Sequence, residues 1–274
     1  MARQLVLIAL GVFLACRAGS APGADPADDP DASPQWQQVR AALFGSRPIA
    51  VATPDVLTLE APYRAEDAAI VPIALRSRIE QSQARYVRTA WLVIDGNPSP
   101  LAGTFHFTPE SGRADLETRV RVEQYTFMRA IAELDDGSLH MATRFVKASG
   151  GCSAPAAKDP AAAAANLGRM KLKVDDTGEP RRAQLMVSHP NTSGLAMDQI
   201  TRLYPTARFV RQVTVRYRDK PVLIADVDFS ISENPSFRFL FRSDDGGDLA
   251  AEVVDTDGRT FESRIPVGST GEGA

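Results

Sequence analysis

The stretch Lys147-Ala148-Ser149-Gly150-Gly151-Cys152-Ser153-Ala154-Pro155 divides the chain into two blocks of different character. Before it, apolar and polar residues alternate from Leu139 to Phe145, a pattern that predicts a half-buried β-strand ending near Lys147. After it comes a segment rich in alanine, proline and lysine, which is typical of a linker. The fold is therefore predicted as two β blocks, with a cysteine at the end of the first.

Cys152 follows two glycines, which have no β-carbon and restrict the backbone little. We interpret Gly150 and Gly151 as a short flexible arm that lets the thiol leave the domain surface and reach outward. A small buried hydrophobe is the alternative reading of such a cysteine. The other cysteine, Cys16, lies in a segment expected to be removed or lipidated. A cysteine without a partner in an exported protein indicates intermolecular pairing or a reactive thiol.

The first eighteen residues have the pattern of a secretory signal peptide. One positive charge precedes an almost wholly apolar run over residues 5–15, which is too short to span a membrane. Phe13-Leu14-Ala15-Cys16 resembles a bacterial lipoprotein cleavage box, and cleavage after Ala18 is the other option. We therefore expect a periplasmic protein, with or without a lipid on Cys16. Residues 19–33, rich in Ala, Pro and Asp, are predicted to be a disordered lead.

Composition excludes several classes of function. The formal net charge of −3 over 274 residues leaves no basic stripe for nucleic acid. Two cysteines provide neither a disulfide framework nor a thiolate metal cluster. No two of His106, His140 and His189 share a predicted element, so no histidine metal site is predicted. His106 is interpreted as structural, and residues 244–248 as a solvated hairpin. The sequence therefore predicts no metal, no cofactor and no catalytic residues.

Residues 34–152 are predicted to form the first β-sandwich. A short helix comes first, with Ser33 as its cap, Pro34 in its first turn and Gly45 as its end. Its predicted packing face consists of Trp36, Val39, Leu43 and Phe44. Strands are predicted at 56–60, 70–75, 87–94, 104–108, 114–122, 127–134 and 139–146. Short strands at this spacing predict an immunoglobulin-like antiparallel sandwich.

Residues 153–180 are predicted to be a linker holding one or two helical turns between Asp159 and Gly168. Residues 181–265 are predicted to form a second, smaller sandwich, and 266–274 a flexible tail. Its strands are predicted at 183–187, 209–217, 222–228, 237–241, 249–254 and 260–265. Phe237, Phe239 and Phe241 share one strand face and are interpreted as core. The predicted fold is all-β, with two immunoglobulin-like sandwiches in tandem.

The order and spacing of many short pieces resemble a known pair of proteins. The first block resembles SoxY, the carrier subunit of the bacterial thiosulfate-oxidising system, in Glu60-Ala61-Pro62, Val71-Pro72, Asn97-Pro98, 105–109, 111–114, Asp136-Gly137 and the run from Val146-Lys147 to Gly150-Gly151-Cys152. The second block resembles SoxZ in Ser188-His189-Pro190, Ser193-Gly194-Leu195, Phe209-Val210, 232–235, 237–239 and 255–258 before Phe261. The whole resembles fused SoxYZ-like carriers associated with quinoprotein dehydrogenases.

The resemblance implies a function for these residues. SoxY and SoxZ form a tight complex, so the two domains are expected to pair within this chain. The resemblance implies that Cys152 is the covalent attachment site for a sulfur-containing intermediate and that Gly150 and Gly151 are its arm. It also implies that the carrier itself catalyses no reaction. The implied partners are Sox-type enzymes, or a PQQ-dependent dehydrogenase with cytochrome c. The chain departs from the SoxY pattern after Cys152, where Ser153-Ala154-Pro155 and a whole domain replace two glycines and a chain end.

Two other classes of function stay open at this point. One is a non-covalent binding or assembly module of a periplasmic quinoprotein dehydrogenase system, in which Cys152 is incidental. The other is an enzyme with a cysteine nucleophile. It would need a base held close to Cys152, and a mobile Gly-Gly arm disfavours that preorganisation.

Overall fold

The computed structural model describes residues 29–155, 160–175, 177–198, 201–243 and 246–268. Several predictions fall outside these ranges: the signal peptide at 1–18 with Cys16, residues 19–28 of the lead, and residues 244, 245 and 269–274. No helix within the described ranges has the length and apolar character needed to cross a membrane.

Fifteen strands and two α-helices are found within the described ranges. Helix α1 is Pro34–Phe44 and α2 is Pro160–Ala165. The first half of the chain contributes β1 Ile49–Val51, β2 Thr58–Glu60, β3 Val71–Arg76, β4 Val87–Ile94, β5 Leu101–Phe107, β6 Leu116–Val120, β7 Thr126–Leu134 and β8 Leu139–Val146. The second half contributes β9 Met170–Asp175, β10 Arg181–Val187, β11 Val210–Tyr217, β12 Lys220–Val227, β13 Ser236–Phe241, β14 Gly247–Asp255 and β15 Thr260–Val267.

The strands form two sheets, and both sheets run through both halves of the chain. One sheet has nine strands in the order β1-β8-β7-β4-β5-β12-β11-β14-β15, and the other has six in the order β2-β3-β6-β13-β10-β9. Each half is thus a two-layered sandwich, which confirms the predicted all-β, immunoglobulin-like fold. The sandwiches join edge to edge through the antiparallel pairs β5–β12 and β6–β13.

A contiguous apolar core passes across this junction. Phe105 of β5 lies opposite Ala225 of β12, and both side chains are buried. Along β13, Phe237, Phe239 and Phe241 are at most 2% exposed, as their period-two spacing predicted. Because the cluster contains buried residues of both halves, neither half closes its core without the other.

Helix α1 packs on the outer face of the nine-stranded sheet. Ser33 Oγ accepts a hydrogen bond from the Trp36 backbone N–H at 3.2 Å, which confirms the predicted cap. Trp36 and Phe44 are buried, whereas Leu43 is 37% exposed, so the packed face is narrower than predicted. The buried Arg129 guanidinium lies 4.5 Å from the Trp36 ring and fixes the helix to the sheet. The cluster beneath the helix includes Val93, Ile131 and Leu139.

Two strands were not predicted. β9 lies inside the segment 153–180 that was predicted to be a linker, where it pairs with β10 and buries Leu172. β1 has only three residues and pairs in parallel with β8, so the sequence offers little alternation to detect. At the other end, β15 extends into the predicted tail and buries Val267. β1 forms by long-range pairing with β8, whereas β9 and β15 each pair with a strand that is adjacent in sequence, β10 and β14.

Candidate functional site

Residues 147–155, which we term the cysteine arm, follow β8 and lie against the segment 121–123 that follows β6. The arm is held at its base, where the Lys147 N–H donates to the Tyr63 carbonyl at 2.7 Å. Further along, the Gly150 N–H donates to the Glu123 carbonyl at 2.8 Å and the Gly151 N–H to the Val122 carbonyl at 2.9 Å. The arm is therefore docked by main-chain hydrogen bonds on the body of the protein.

The Cys152 side chain is fully buried, which differs from the predicted outward-reaching thiol. The reason lies in the two glycines, of which Gly151 allows close packing and Gly150 allows a left-handed backbone conformation. A β-carbon on Gly151 would lie 2.0 Å from the Ala68 carbonyl oxygen, so any larger residue would push the arm away. Gly150 has a φ of 81°, a left-handed conformation that glycine adopts without strain.

Glu123 clamps the arm with its carboxylate. One oxygen, Oε2, accepts hydrogen bonds from the Cys152 N–H at 2.9 Å and the Ser153 N–H at 3.1 Å. The other, Oε1, accepts one from Ser153 Oγ at 3.0 Å. The buried Asn97 braces this clamp, because its Oδ1 accepts a hydrogen bond from the Glu123 N–H at 2.9 Å. A single carboxylate thus satisfies three donors around the cysteine.

Arg121 lies between the arm and the second half of the chain. It is 2% exposed, and its Nη1 donates to the Gly151 carbonyl at 3.2 Å. Its Nη2 donates to the Asn191 carbonyl at 3.3 Å. Burial lowers the pKa of the Arg121 guanidinium, an effect opposed by the negative charges of Glu233 and Asp67. A buried cation therefore links the cysteine arm to the loop after β10.

The second half also contacts the cysteine directly. Ser193 Oγ donates a hydrogen bond to the Cys152 carbonyl at 2.5 Å, and Ser193 is itself buried. Beneath this loop, His189 Nδ1 accepts a hydrogen bond from the Asn191 N–H at 3.0 Å. His189 Nε2 lies 3.7 Å from Asp255 Oδ2, and both side chains are fully buried. Burial lowers the pKa of His189 and so favours its neutral form.

The electrostatic surroundings make the docked thiol a poor nucleophile. Burial raises the pKa of the Cys152 thiol to about 12, with a further rise from the Glu123 charge and an opposing effect of Arg121. Since the thiolate is the reactive form of cysteine, docked Cys152 stays protonated and inert at neutral pH. Burial also raises the pKa of Asp228, a nearby carboxyl, to about 6.

A cavity of about 730 Å³ lies beside the end of the arm, at Ala154 and Pro155. Its lining combines Arg121 with the carboxylates of Asp67 and Glu233. The outer side of the arm therefore borders open space, whereas the contacts with Glu123 and Ser193 hold its inner side.

The remaining predicted candidates do not join this site. His106 lies on the sheet surface, with Nδ1 3.2 Å from Thr89 Oγ1 and Nε2 3.7 Å from Asp226 Oδ2. His140 Nε2 lies 3.1 Å from Ser138 Oγ at the other end of the sheet. Among the described residues, no three His, Cys, Asp or Glu side chains come together in the arrangement of a metal site.

Sequence reasoning did not single out Arg121, Glu123 or Ser193 as site residues. Ser193 stood within one of the short pieces that carried the SoxZ resemblance, without a role attached to it. Arg121 carried a signal that could have been used, since it is a charge between the apolar Val120 and Val122. Only the tertiary fold brings all three to Cys152.

Comparison with known proteins gives two adjoining family matches. Residues 40–152 match the family described as sulfur oxidation protein SoxY, and residues 170–266 match the family described as sulphur oxidation protein SoxZ. Cys152 is thus the last residue of the SoxY match. No curated protein matches the chain at a significant level.

Similar solved structures cover parts of the chain. The sulfur carrier protein SoxY from Chlorobium limicola f thiosulfatophilum is 26% identical, covering 41% of this chain and 94% of its own, with a TM-score of 0.35. The superoxide reductase (neelaredoxin) from Ignicoccus hospitalis is 18% identical, covering 34% and 79%, with a TM-score of 0.31. At TM-scores this low, neither likeness carries an argument about function. The two family matches, which follow one another and together span most of the described residues, show that the chain belongs to the SoxYZ-like sulfur carrier family as a fusion of a SoxY and a SoxZ domain.

Proposed function

We propose that this protein is a thiol-based carrier that holds a sulfur-containing intermediate on Cys152 for partner redox enzymes and performs no turnover itself. The observation that carries the proposal is the position of Cys152, the last residue of the SoxY match, at the centre of a docked arm. Within the described part of the chain, every hydrogen bond of Cys152 uses its main chain. The sulfur can therefore be modified without loss of a hydrogen bond.

Loading follows ordinary thiol chemistry once the arm is released. In solvent the Cys152 thiol returns towards the usual cysteine pKa of about 8.5, so a reactive fraction of thiolate is present. With a polythionate such as tetrathionate, the thiolate attacks an inner sulfur and a new sulfur–sulfur bond forms. The central sulfur–sulfur bond of tetrathionate breaks, and thiosulfate leaves with the electron pair. The step balances without a further oxidant.

The docked and released states of the cysteine arm then have different roles. The docked arm keeps the thiol buried and protonated, which protects it from adventitious oxidation. The released arm presents it to a partner. Because Ser153 and the second half follow Cys152, the arm leaves the surface as a loop two chains wide. A partner with an open cleft fits such a loop better than one with a single-file tunnel.

The proposal places the carrier in the periplasm. Support comes from the signal-like residues 1–18 and from the resemblance to fused carriers associated with quinoprotein dehydrogenases. The partners would be Sox-type enzymes, or a PQQ-dependent dehydrogenase with its cytochrome c. The burial of Cys152 favours a second candidate, a non-covalent assembly module of the same dehydrogenase system.

A complementation experiment separates the two candidates. A deletion strain of the source bacterium is supplied with the wild-type gene or with Cys152→Ser, and thiosulfate oxidation and quinoprotein-dependent oxidation are both followed. A carrier requires the thiol, so Cys152→Ser should fail while accumulating to wild-type levels. Full restoration by Cys152→Ser would leave the assembly module as the function.

A further inference from the structure

The loop between β10 and β11 belongs to the second half, yet it completes the site of the first-half cysteine. It meets the arm at two carbonyls, one directly and one through a first-half residue: Ser193 Oγ donates to the Cys152 carbonyl, and Arg121 bridges the Gly151 and Asn191 carbonyls. No strand pairing is involved at either carbonyl. The loop therefore holds the arm through contacts that can break while the sheets stay intact.

Asn191 fixes this loop in an unusual conformation. It is fully buried with a φ of 43°, in the left-handed region that most residues avoid. Its Nδ2 donates to the Ile231 carbonyl at 3.1 Å, and its Oδ1 accepts from the Val210 N–H at 3.1 Å. Asparagine enters this region more readily than most residues, and these two hydrogen bonds hold it there.

The loop also folds back on itself as a unit. Thr192 bridges Arg208, and the Asp198 N–H donates to the Leu203 carbonyl at 3.0 Å. The position of Ser193 is therefore fixed in two ways: by Asn191 two residues earlier, and by the pairing of Thr192 with Arg208 at the end of the loop. The Ser193 hydroxyl is thus held in position for its hydrogen bond to the Cys152 carbonyl.

We propose that Ser193 is a positioning residue with which the second half locks the Cys152 arm in its docked, unreactive state. The second half would then control access to the thiol in addition to completing the core. This inference rests on the proposed carrier function for its purpose, but the lock itself is a property of the free protein. It can be tested without a cargo or a partner.

The test measures how fast the Cys152 thiol reacts with 5,5′-dithiobis(2-nitrobenzoate) in the folded full chain carrying Cys16→Ser, so that Cys152 is the sole thiol. Loss of one neutral hydrogen bond in Ser193→Ala should raise the labelling rate about tenfold. Ser193→Thr keeps the hydroxyl and should restore the slow rate. Hydrogen exchange should rise with the labelling rate at the Cys152 and Ser153 amides, which dock on Glu123.

Ser111→Ala is the matched control. Ser111 Oγ also donates a buried hydrogen bond between the halves, to the Val222 carbonyl at 2.6 Å. Ser111 precedes β6, whereas the arm docks after it, so this variant should lower stability without speeding the labelling of Cys152.

Three results would overturn the lock: unchanged labelling in Ser193→Ala, equal acceleration in Ser111→Ala, or no rescue by Ser193→Thr. Equal acceleration would show that labelling follows global unfolding. The carrier function is tested separately by complementation with Cys152→Ser. If Ser193→Ala speeds labelling but Cys152→Ser still complements, the carrier function is refuted and the inference about Ser193 holds.

Discussion

The junction between the two halves and the cysteine arm are buried to the same degree but held in different ways. At the junction, Phe105 and Ala225 are fully buried within paired strands of a shared core. On the arm, Cys152 is just as buried, yet the contacts around it are hydrogen bonds to Glu123, Arg121 and Ser193.

This difference separates what keeps the protein folded from what can move. A large aromatic side chain in a shared core contributes several kcal/mol, roughly 3–5 for phenylalanine. A cysteine side chain buries little more than one CH₂ and a sulfur, and each CH₂ contributes about 0.8 kcal/mol. Burial of the Cys152 side chain therefore contributes little to docking, and the arm is held mainly by its hydrogen bonds, whereas the junction cannot open without loss of the core.

The largest effect is expected from Phe105→Ala at the junction. Truncation of this buried ring should lower the free energy of unfolding by about 3–5 kcal/mol. Because the core is shared, fluorescence of Trp36 and Trp91, both in the first half, should change at the same urea concentration as far-UV circular dichroism of the whole chain. Two separated transitions would show that the halves fold independently.

Gly151→Ala should have the next largest effect, and it should act on the arm. A β-carbon 2.0 Å from the Ala68 carbonyl oxygen cannot be accommodated, and overpacking of this kind costs about 1–3 kcal/mol. If the arm undocks to relieve it, native-state labelling of Cys152 should rise by up to about a hundredfold.

Gly150→Ala is the control for that variant. Its β-carbon would meet nothing closer than Ser153 Oγ at 4.0 Å, so only the strain of its left-handed backbone remains. Labelling should therefore rise less than in Gly151→Ala. The reverse order would mean that backbone freedom, rather than close packing, is what the glycines provide.

Glu123→Gln removes the negative charge from the carboxylate that holds the cysteine arm. Hydrogen bonds to a charged acceptor contribute more than neutral ones, so labelling of Cys152 should rise about tenfold, with about 1.4 kcal/mol lost in the free energy of unfolding. Loss of the nearby negative charge should also lower the pKa of the docked thiol. Glu110→Gln, which loses a surface pair with Lys220, should leave labelling unchanged.

The smallest expected effect is a pH dependence from Asp228. Its pKa is raised from 3.8 to about 6, so between these values the folded protein binds more protons than the unfolded chain. Wild-type stability should therefore fall as the pH rises from about 4 to 6, and Asp228→Asn should lack this fall. Above pH 6 the variant should be the more stable of the two, and denaturation at pH 4 and pH 7.5 would show it. An equal difference at both pH values would exclude this origin.

The strands could be predicted from the sequence more completely than the surroundings of Cys152. Strands such as β4 and β8 were predicted at their observed bounds, because alternation along one strand is local information. β9 also alternates, as Met-Lys-Leu-Lys-Val-Asp, but the composition around it masked the pattern. Cys152 was singled out by its position after two glycines and by the resemblance to SoxY. The family match confirms that resemblance, and the role of Cys152 stays a prediction.

The surroundings of Cys152 could not be predicted in the same way. Its burial depends on Glu123, 29 residues earlier, and on Ser193, 41 residues later. Gly-Gly is compatible both with a mobile arm and with a tightly packed one, and only the position of the Ala68 carbonyl decides between them. Long-range contacts of this kind leave no periodic trace in the sequence.

The most direct test of the carrier proposal is the intact mass of protein isolated from its native source during growth on reduced sulfur compounds, compared with Cys152→Ser. A carrier should show additional mass from sulfur-containing groups, removable by a thiol reductant and mapped by peptide analysis to Cys152. The serine variant should show none. An unmodified Cys152 thiol under all conditions in which the cells oxidise sulfur compounds would contradict the account.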